Sequence, residues 1–474
     1  MQISLVTNVR ALAARTRRWI WLSLCRLRFG LRQGILLVFL CSIPRAQAGA
    51  TLFLAEPYGY DATFAGTGHA AVYLDGVCAT TPVVLRRCGP EETGIVISRY
   101  YNVGGHDWIA IPLIPYLYAV EELEDVPLFA NKKVVAFLRD RYRRKHLESL
   151  VPDLPDGGTP PGHWSELIGA SYIRTIYTFE IETSPDQDEQ LIRTLNERSN
   201  RPRWNLVTAN CADFVREIIN FYYPHSVHRS IIGDLGVTTP KQVARTLSNY
   251  LRHHPELQTL SFVIPQIPGT IPRSKRVRGV LEVPLMSKKY ALPIFLLNPY
   301  LAGGMVAMYV EHWRFNPGKN APILDAKRQL DASLTRAERR AVKDQLDDVE
   351  RAVSSVDADL RKRQWTSLHA AAEPALDIYG RPALKVRIGE EVMSVGIARS
   401  NILDVPAGSE FAAGLLKARL SIELKTTVSQ RTARSDVEND LVLLKQLVAP
   451  QQEELAKKAE VAVVQQTGSE ETDH

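Results

Sequence analysis

A chain of 474 residues, 45% hydrophobic and 23% charged, has the length for two or three globular domains and a composition unlike that of disordered or fibrous proteins. Its formal charge of +6 suggests nucleic acid as a partner, but residues 1–48 hold eight arginines and no acid, and without them the remainder carries −2. With the body so close to balance, no cationic surface for phosphates is expected, and nucleic acid is set aside.

In chain order, residues 1–48 come first and read as a signal peptide or N-terminal anchor. Arginines precede the apolar run GILLVFLCSIP, and Ala46-Gln47-Ala48 has the small-x-small form that a signal peptidase accepts. The expectation is an exported protein, periplasmic or envelope-associated, with an uncleaved anchor as the alternative. Cys25 and Cys41 belong to this leader, and Leu40 stands where lipidation of Cys41 would need a small residue. That leaves Cys78, Cys88 and Cys211. In an oxidising compartment Cys78 and Cys88, on either side of a turn-like TTP, can close a disulfide across a hairpin, and Cys211 is then the odd one out.

Between residues 50 and 120, TLFLAE, HAAVYLDGV, VVLRR, GIVISRYYNV and WIAIPLIPYLY read as strands separated by Gly, Pro and Asp. Lys132–Leu150 has helical periodicity, 151–163 is a loop by composition, SYIRTIYTFEIET alternates as a strand, and DQDEQLIRTLNERS forms a helix. Next comes TANCADFVREII. Phe214, Val215, Ile218, Ile219 and Tyr222 recur at three- and four-residue spacing, while Thr208 and Asn210 are cap-forming types that fix the helix start near Cys211. A thiol in a helix's first turn meets unpaired N–H groups and a partial positive charge, which favour thiolate and can hold an oxyanion. Against this stands the fact that cysteine is among the most buried residue types, so packing alone also accounts for such a position.

Beyond residue 255 the pattern changes. Region 256–323 connects, with the apolar segment ALPIFLLNPYLAGGMVAMYV at 291–310 read as buried or membrane-apposed because its prolines, glycines and basic flank argue against a span. Region 324–366 is charged and helical, with Val342, Leu346, Val349, Val353, Val356 and Leu360 forming a short heptad seam, either intramolecular or a self-association surface across 330–360. Region 367–430 is expected as a small β-rich module built from ALKVRIG, EVMSVGIA and RLSIEL, and 431–474 as a terminal helix and polar tail. His225, His228, His253 and His254 lack a completing carboxylate or cysteine and read as loop residues. RSKRVR at 273–278 reads as a solvated loop. No phosphate loop or paired zinc motif occurs, so no cofactor and no metal are expected.

His69 in GTGHAAVYL opens an apolar strand where a histidine needs a reason to displace a hydrophobe. The order GHAAVYL, then NCADFV about 140 residues later, resembles the circularly permuted papain-like cysteine hydrolases, which include relatives of the NlpC-type cell-wall peptidases and the lecithin:retinol acyltransferase-like proteins. It is also similar to an uncharacterised family of bacterial periplasmic domains. The resemblance covers roughly residues 50–250. It implies Cys211 as nucleophile and His69 as general base, with Asn210 matching the residue before the family cysteine. It also implies a third polar residue on the strand after the histidine strand: His106 in VGGHDWIAIP is the first choice, with Asp107 and Asn102 as rivals.

The expected fold class is α+β. A permuted papain-like domain at 49–255, with an antiparallel sheet and packed helices, is followed by a helical hairpin or coiled-coil segment and a small β-rich module. Two functional classes remain. One is an exported thiol hydrolase or acyltransferase acting on cell-wall peptide or lipid-linked substrates, with peripheral membrane association. The other is an inactive papain-like shell serving as a binding or scaffold module.

Overall fold

A computed structural model describes residues 48–450, apart from 59–64, 258–259, 286–291, 294–295, 297, 354–357, 389 and 406–407. The leader up to Gln47, and the tail beyond Pro450, lie outside the described residues. The fold is mixed α+β, built on an antiparallel-dominated sheet.

Four of its strands position the site: β1 (Ala48–Ala55), β2 (His69–Leu74), β5 (Ile95–Arg99) and β6 (Trp108–Pro112). Strands β3 (Val77–Thr81) and β4 (Val84–Arg87) form a separate hairpin between β2 and β5, and the Cys78–Cys88 disulfide closes it. The main sheet continues through β7 (Ile176–Thr183), β8 (Val263–Ile264), β9 (Ile323–Leu324) and β10 (Leu330–Asp331), in the order β10-β9-β8-β7-β1-β2-β5-β6. Only the β8–β9 pair is parallel. Residues past 255 therefore complete the sheet that begins at Ala48.

Both faces of this sheet are covered, so its strands read as near-continuous apolar runs. Along β1, Leu52 and Leu54 enter one core cluster while Phe53 and Ala55 enter the other, as period-two alternation requires. Helix α1 (Leu113–Tyr118) and helix α2 (Lys132–Tyr142) pack on the Phe53 side. Helices α3 (Pro185–Glu197), α4 (Cys211–Tyr222) and α5 (Pro240–His253) pack on the Leu52 side. The run WIAIPLIPYLY, read from sequence as one strand, splits into β6 and α1. Pro112 and Pro115 lack the N–H a sheet ladder needs, whereas proline is tolerated in the first turn of a helix.

Much of the remaining chain folds onto the Phe53 side, while Val277, Phe315 and Ala433 join the Leu52 side. Helix α6 (Pro299–Met308) is mostly exposed, with Met305 buried and Ala302 and Met308 half-buried, so the alternative that 291–310 is buried is not met over this helix. Among the described residues no helix is long and apolar enough to cross a membrane. Helix α7 (Arg336–Val353) buries Val342, Leu346 and Val349 within the chain's own core, and helix α8 (Ala358–Ala371) follows. The burial of Val353, Val356 and Leu360 lies outside the described residues. Strands β11 (Glu373–Leu376), β12 (Pro382–Ile388) and β13 (Glu391–Gly396) make a three-stranded sheet. RLSIEL, expected as a strand, instead ends helix α9 (Ser409–Glu423). Phe411, Leu415, Leu416 and Leu420 bury one helical stripe there, and this 3.6-residue period overrides the local β-branched content. Residues 434–450 are helical.

Candidate active site

The start of α4 is fixed by its own side chains. Asn210 Oδ1 accepts from the Asp213 backbone N–H at 3.0 Å, and an Asp213 carboxylate oxygen accepts from the Asn210 N–H at 3.3 Å, closing a reciprocal capping box. Asp213 is fully buried and also accepts from Arg229 at 2.8 Å and from the Thr238 hydroxyl at 2.5 Å. Asn210 Nδ2 donates to the Leu206 and Thr238 carbonyls, both at 3.0 Å. Phe214, Val215, Ile218, Ile219 and Tyr222 are all buried, as their spacing requires, and clamp α4 to the sheet. Cys211 is thereby held as the first helical residue, partly exposed.

His69 begins β2, the strand beside central β1, and Ala55 of β1 is its register partner. Gly68 precedes it at φ +85°, where a Cβ would collide with the Ala55 carbonyl oxygen, so glycine is required for this entry. The β2–β5 pairing runs from Leu74 only as far as Val72. Beyond that point the Ala70 carbonyl accepts from the Ser98 hydroxyl at 2.7 Å, and the Ala70 N–H faces the Cys211 sulfur together with the N–H of Ala212. The strands part where the thiol sits.

Cys211 and His69 line one cavity of about 890 Å³. Its walls include Tyr58, Tyr100, Tyr101 and Trp204. Burial pushes the Cys211 thiol up to about 11 and the Glu166 charge adds to this, against the two backbone N–H groups and Arg174. This reverses the expectation that a helix N-terminus yields a thiolate, because desolvation of the charged form outweighs the helix field here. Burial, with the Arg174 charge second, pushes His69 down to about 4, so the imidazole is neutral at physiological pH and able to accept a proton. His69 Nε2 is buried without a hydrogen-bond partner, and the His69 ring lies 5.2 Å from that of Tyr100. The resting pair is thus thiol and imidazole, not thiolate and imidazolium.

None of the three residues considered as third member lies on the cavity wall. Asp107 is 2% exposed and binds the buried Arg99 through two hydrogen bonds, of 2.7 and 2.9 Å. Arg99 itself reaches the Asn210 carbonyl at 3.5 Å and lies over the Phe214 ring, so the Asp107–Arg99 pair braces the start of α4. His106 sits in the turn before β6 with an unpartnered Nδ1, and Asn102 is exposed at φ +50°.

The charges felt by His69 are instead those of Arg174 and Glu166, both on the cavity wall. Glu166 shares a 3.0 Å hydrogen bond with His163 Nδ1 and lies 3.8 Å from Arg174. Burial raises the Glu166 carboxyl, but Arg174, His163 and His69 together hold it below the usual carboxylate range. Two sequence signals mark these residues: Arg174 interrupts the apolar alternation of SYIRTIYTF, and His163 precedes Glu166 by three.

No family model matches this chain, and no curated protein or solved structure is close enough to count as a match.

Proposed function

We propose that this chain is an exported thiol hydrolase or acyltransferase of permuted papain-like architecture, acting on amide or ester bonds of the cell envelope. Peptide cross-links are the first substrate class and lipid-linked acyl groups the second. The observation that carries this reading is the convergence of Cys211 and His69, from a helix start and a strand start, on one aromatic-walled cavity. In the proposed reaction His69 takes the thiol proton as the sulfur attacks the carbonyl carbon, and the Ala70 and Ala212 N–H groups stabilise the oxyanion. The imidazolium then protonates the leaving group, and water or an amine resolves the acyl-enzyme. The Cys78–Cys88 disulfide supports an oxidising compartment.

The test is alkylation of Cys211 by iodoacetamide across pH, compared with His69→Ala. The expected result is a fall of at least about tenfold at neutral pH, below the range typical of positioned general bases. Equal rates with the same pH profile in both proteins would remove the enzyme reading. The alternative, an inactive shell that binds ligands, is favoured by the raised thiol and the unpartnered imidazole nitrogen.

A further inference from the structure

Three polar side chains on the cavity wall are more than nine-tenths buried and hold atoms without partners: His69 Nε2, Tyr100 Oη and Arg174 Nε. His69 is absorbed by the proposed chemistry, but the other two are not. Arg174 is 4% exposed and lies over the Tyr58 ring at 4.7 Å. Its carboxylate partner is Glu166 at 3.8 Å, beyond hydrogen-bond distance, and its buried Nε–H meets no acceptor. A buried guanidinium N–H without an acceptor is costly unless something else accepts from it.

The other charges of the wall are committed. Arg99 spends its donors on Asp107, and Glu166 is shared with His163. Arg174, although paired at 3.8 Å with Glu166, keeps an unpartnered Nε–H to meet an incoming group, with the Tyr100 hydroxyl as a neutral second donor. One guanidinium already facing a carboxylate suits a singly charged, planar acceptor better than a phosphate dianion. Its charge is felt, with the opposing charge of Glu166, at both His69 and Cys211, so such a group would sit close to the reacting atoms.

We infer that Arg174 and Tyr100 form a subsite for a carboxylate carried on the acyl chain of the substrate, held while its carbonyl carbon meets Cys211. This rests on the thiol-hydrolase reading. In the acylation step the S–H proton passes to His69, an S–C bond forms, the bond from the carbonyl carbon to the leaving group breaks, and the carboxylate is a spectator throughout.

Two esters of equal acyl length test it: mono-p-nitrophenyl glutarate, which carries the carboxylate, and p-nitrophenyl pentanoate, which carries a methyl. The expected result is acylation of Cys211 by both, with kcat/KM at least about tenfold higher for the charged ester, the value of one charge-assisted contact. In Arg174→Gln the ratio should fall to about one, and Arg174→Lys should restore part of it. Should Arg174→Gln fail to fold, the wild-type ratio and competition by free glutarate still decide. Acylation without preference would overturn the subsite and leave the hydrolase standing. Binding is read separately on Cys211→Ala as a rise in Tm. No acylation, but a rise with glutarate and none with pentanoate, would keep the subsite and remove the hydrolase. Neither acylation nor a shift would remove both.

Discussion

His69 is a buried imidazole, neutral at physiological pH, and that state has a measurable cost. Its folded-state pKa lies near 4 against 6.5 for the free side chain, so between those values the unfolded chain binds the extra proton. Stability therefore rises with pH through that window: the penalty is complete below about pH 4 and absent above about 6.5. His69→Gln should remove roughly 3 kcal/mol of this pH dependence. Urea denaturation of both proteins at the two ends of the window checks it, and parallel curves would mean that the imidazole is not buried as described. The same desolvation acts on Cys211, which is why a sulfur aided by two N–H groups remains a thiol at rest.

At the scale of elements, the site depends on where α4 and β2 begin. Asn210→Ala removes the cap acceptor and both Nδ2 donations, and should cost about 1–2 kcal/mol. Cys211 reactivity should change along with stability, because this cap sets the Ala212 N–H that faces the sulfur. Gly68→Ala places a Cβ against the Ala55 carbonyl at positive φ and should cost more than about 1 kcal/mol, shifting His69 at the head of its strand. Thermal melts with alkylation rates measure both variants. Wild-type Tm and alkylation in either would show that the element starts do not set the site.

For the whole molecule, the C-terminal half is tied to the end of β1. Glu56, fully buried and next to the Ala55 that pairs with His69, accepts from Tyr177 at 2.8 Å, Ser274 at 2.7 Å and Arg431 at 2.9 Å. Burial raises this carboxyl despite its three partners. Arg431→Met leaves it short of a cation and should cost about 2 kcal/mol or more, although Arg431 is far away in sequence from the proposed site. An unchanged denaturation midpoint would contradict that link.

Periodicity and capping chemistry are local, and the sequence carried them without help: the start and buried face of α4, the strand opened by His69, and the hairpin spanned by Cys78 and Cys88. The continuous apolar run at 108–118 was ambiguous, because burial on all sides erases the period that separates strand from helix, and RLSIEL at 419–424 is too short to display a period. The surroundings of the thiol left only two local marks in the sequence, Arg174 within an apolar alternation and His163 three residues before Glu166. Glu166 and Arg174 reach the cavity from segments distant from both motifs, while Asp107, a rival for the third position, is drawn off by Arg99. Whether a thiol at a helix start is ionised depends on how much water the fold removes around it, and only tertiary packing decides that.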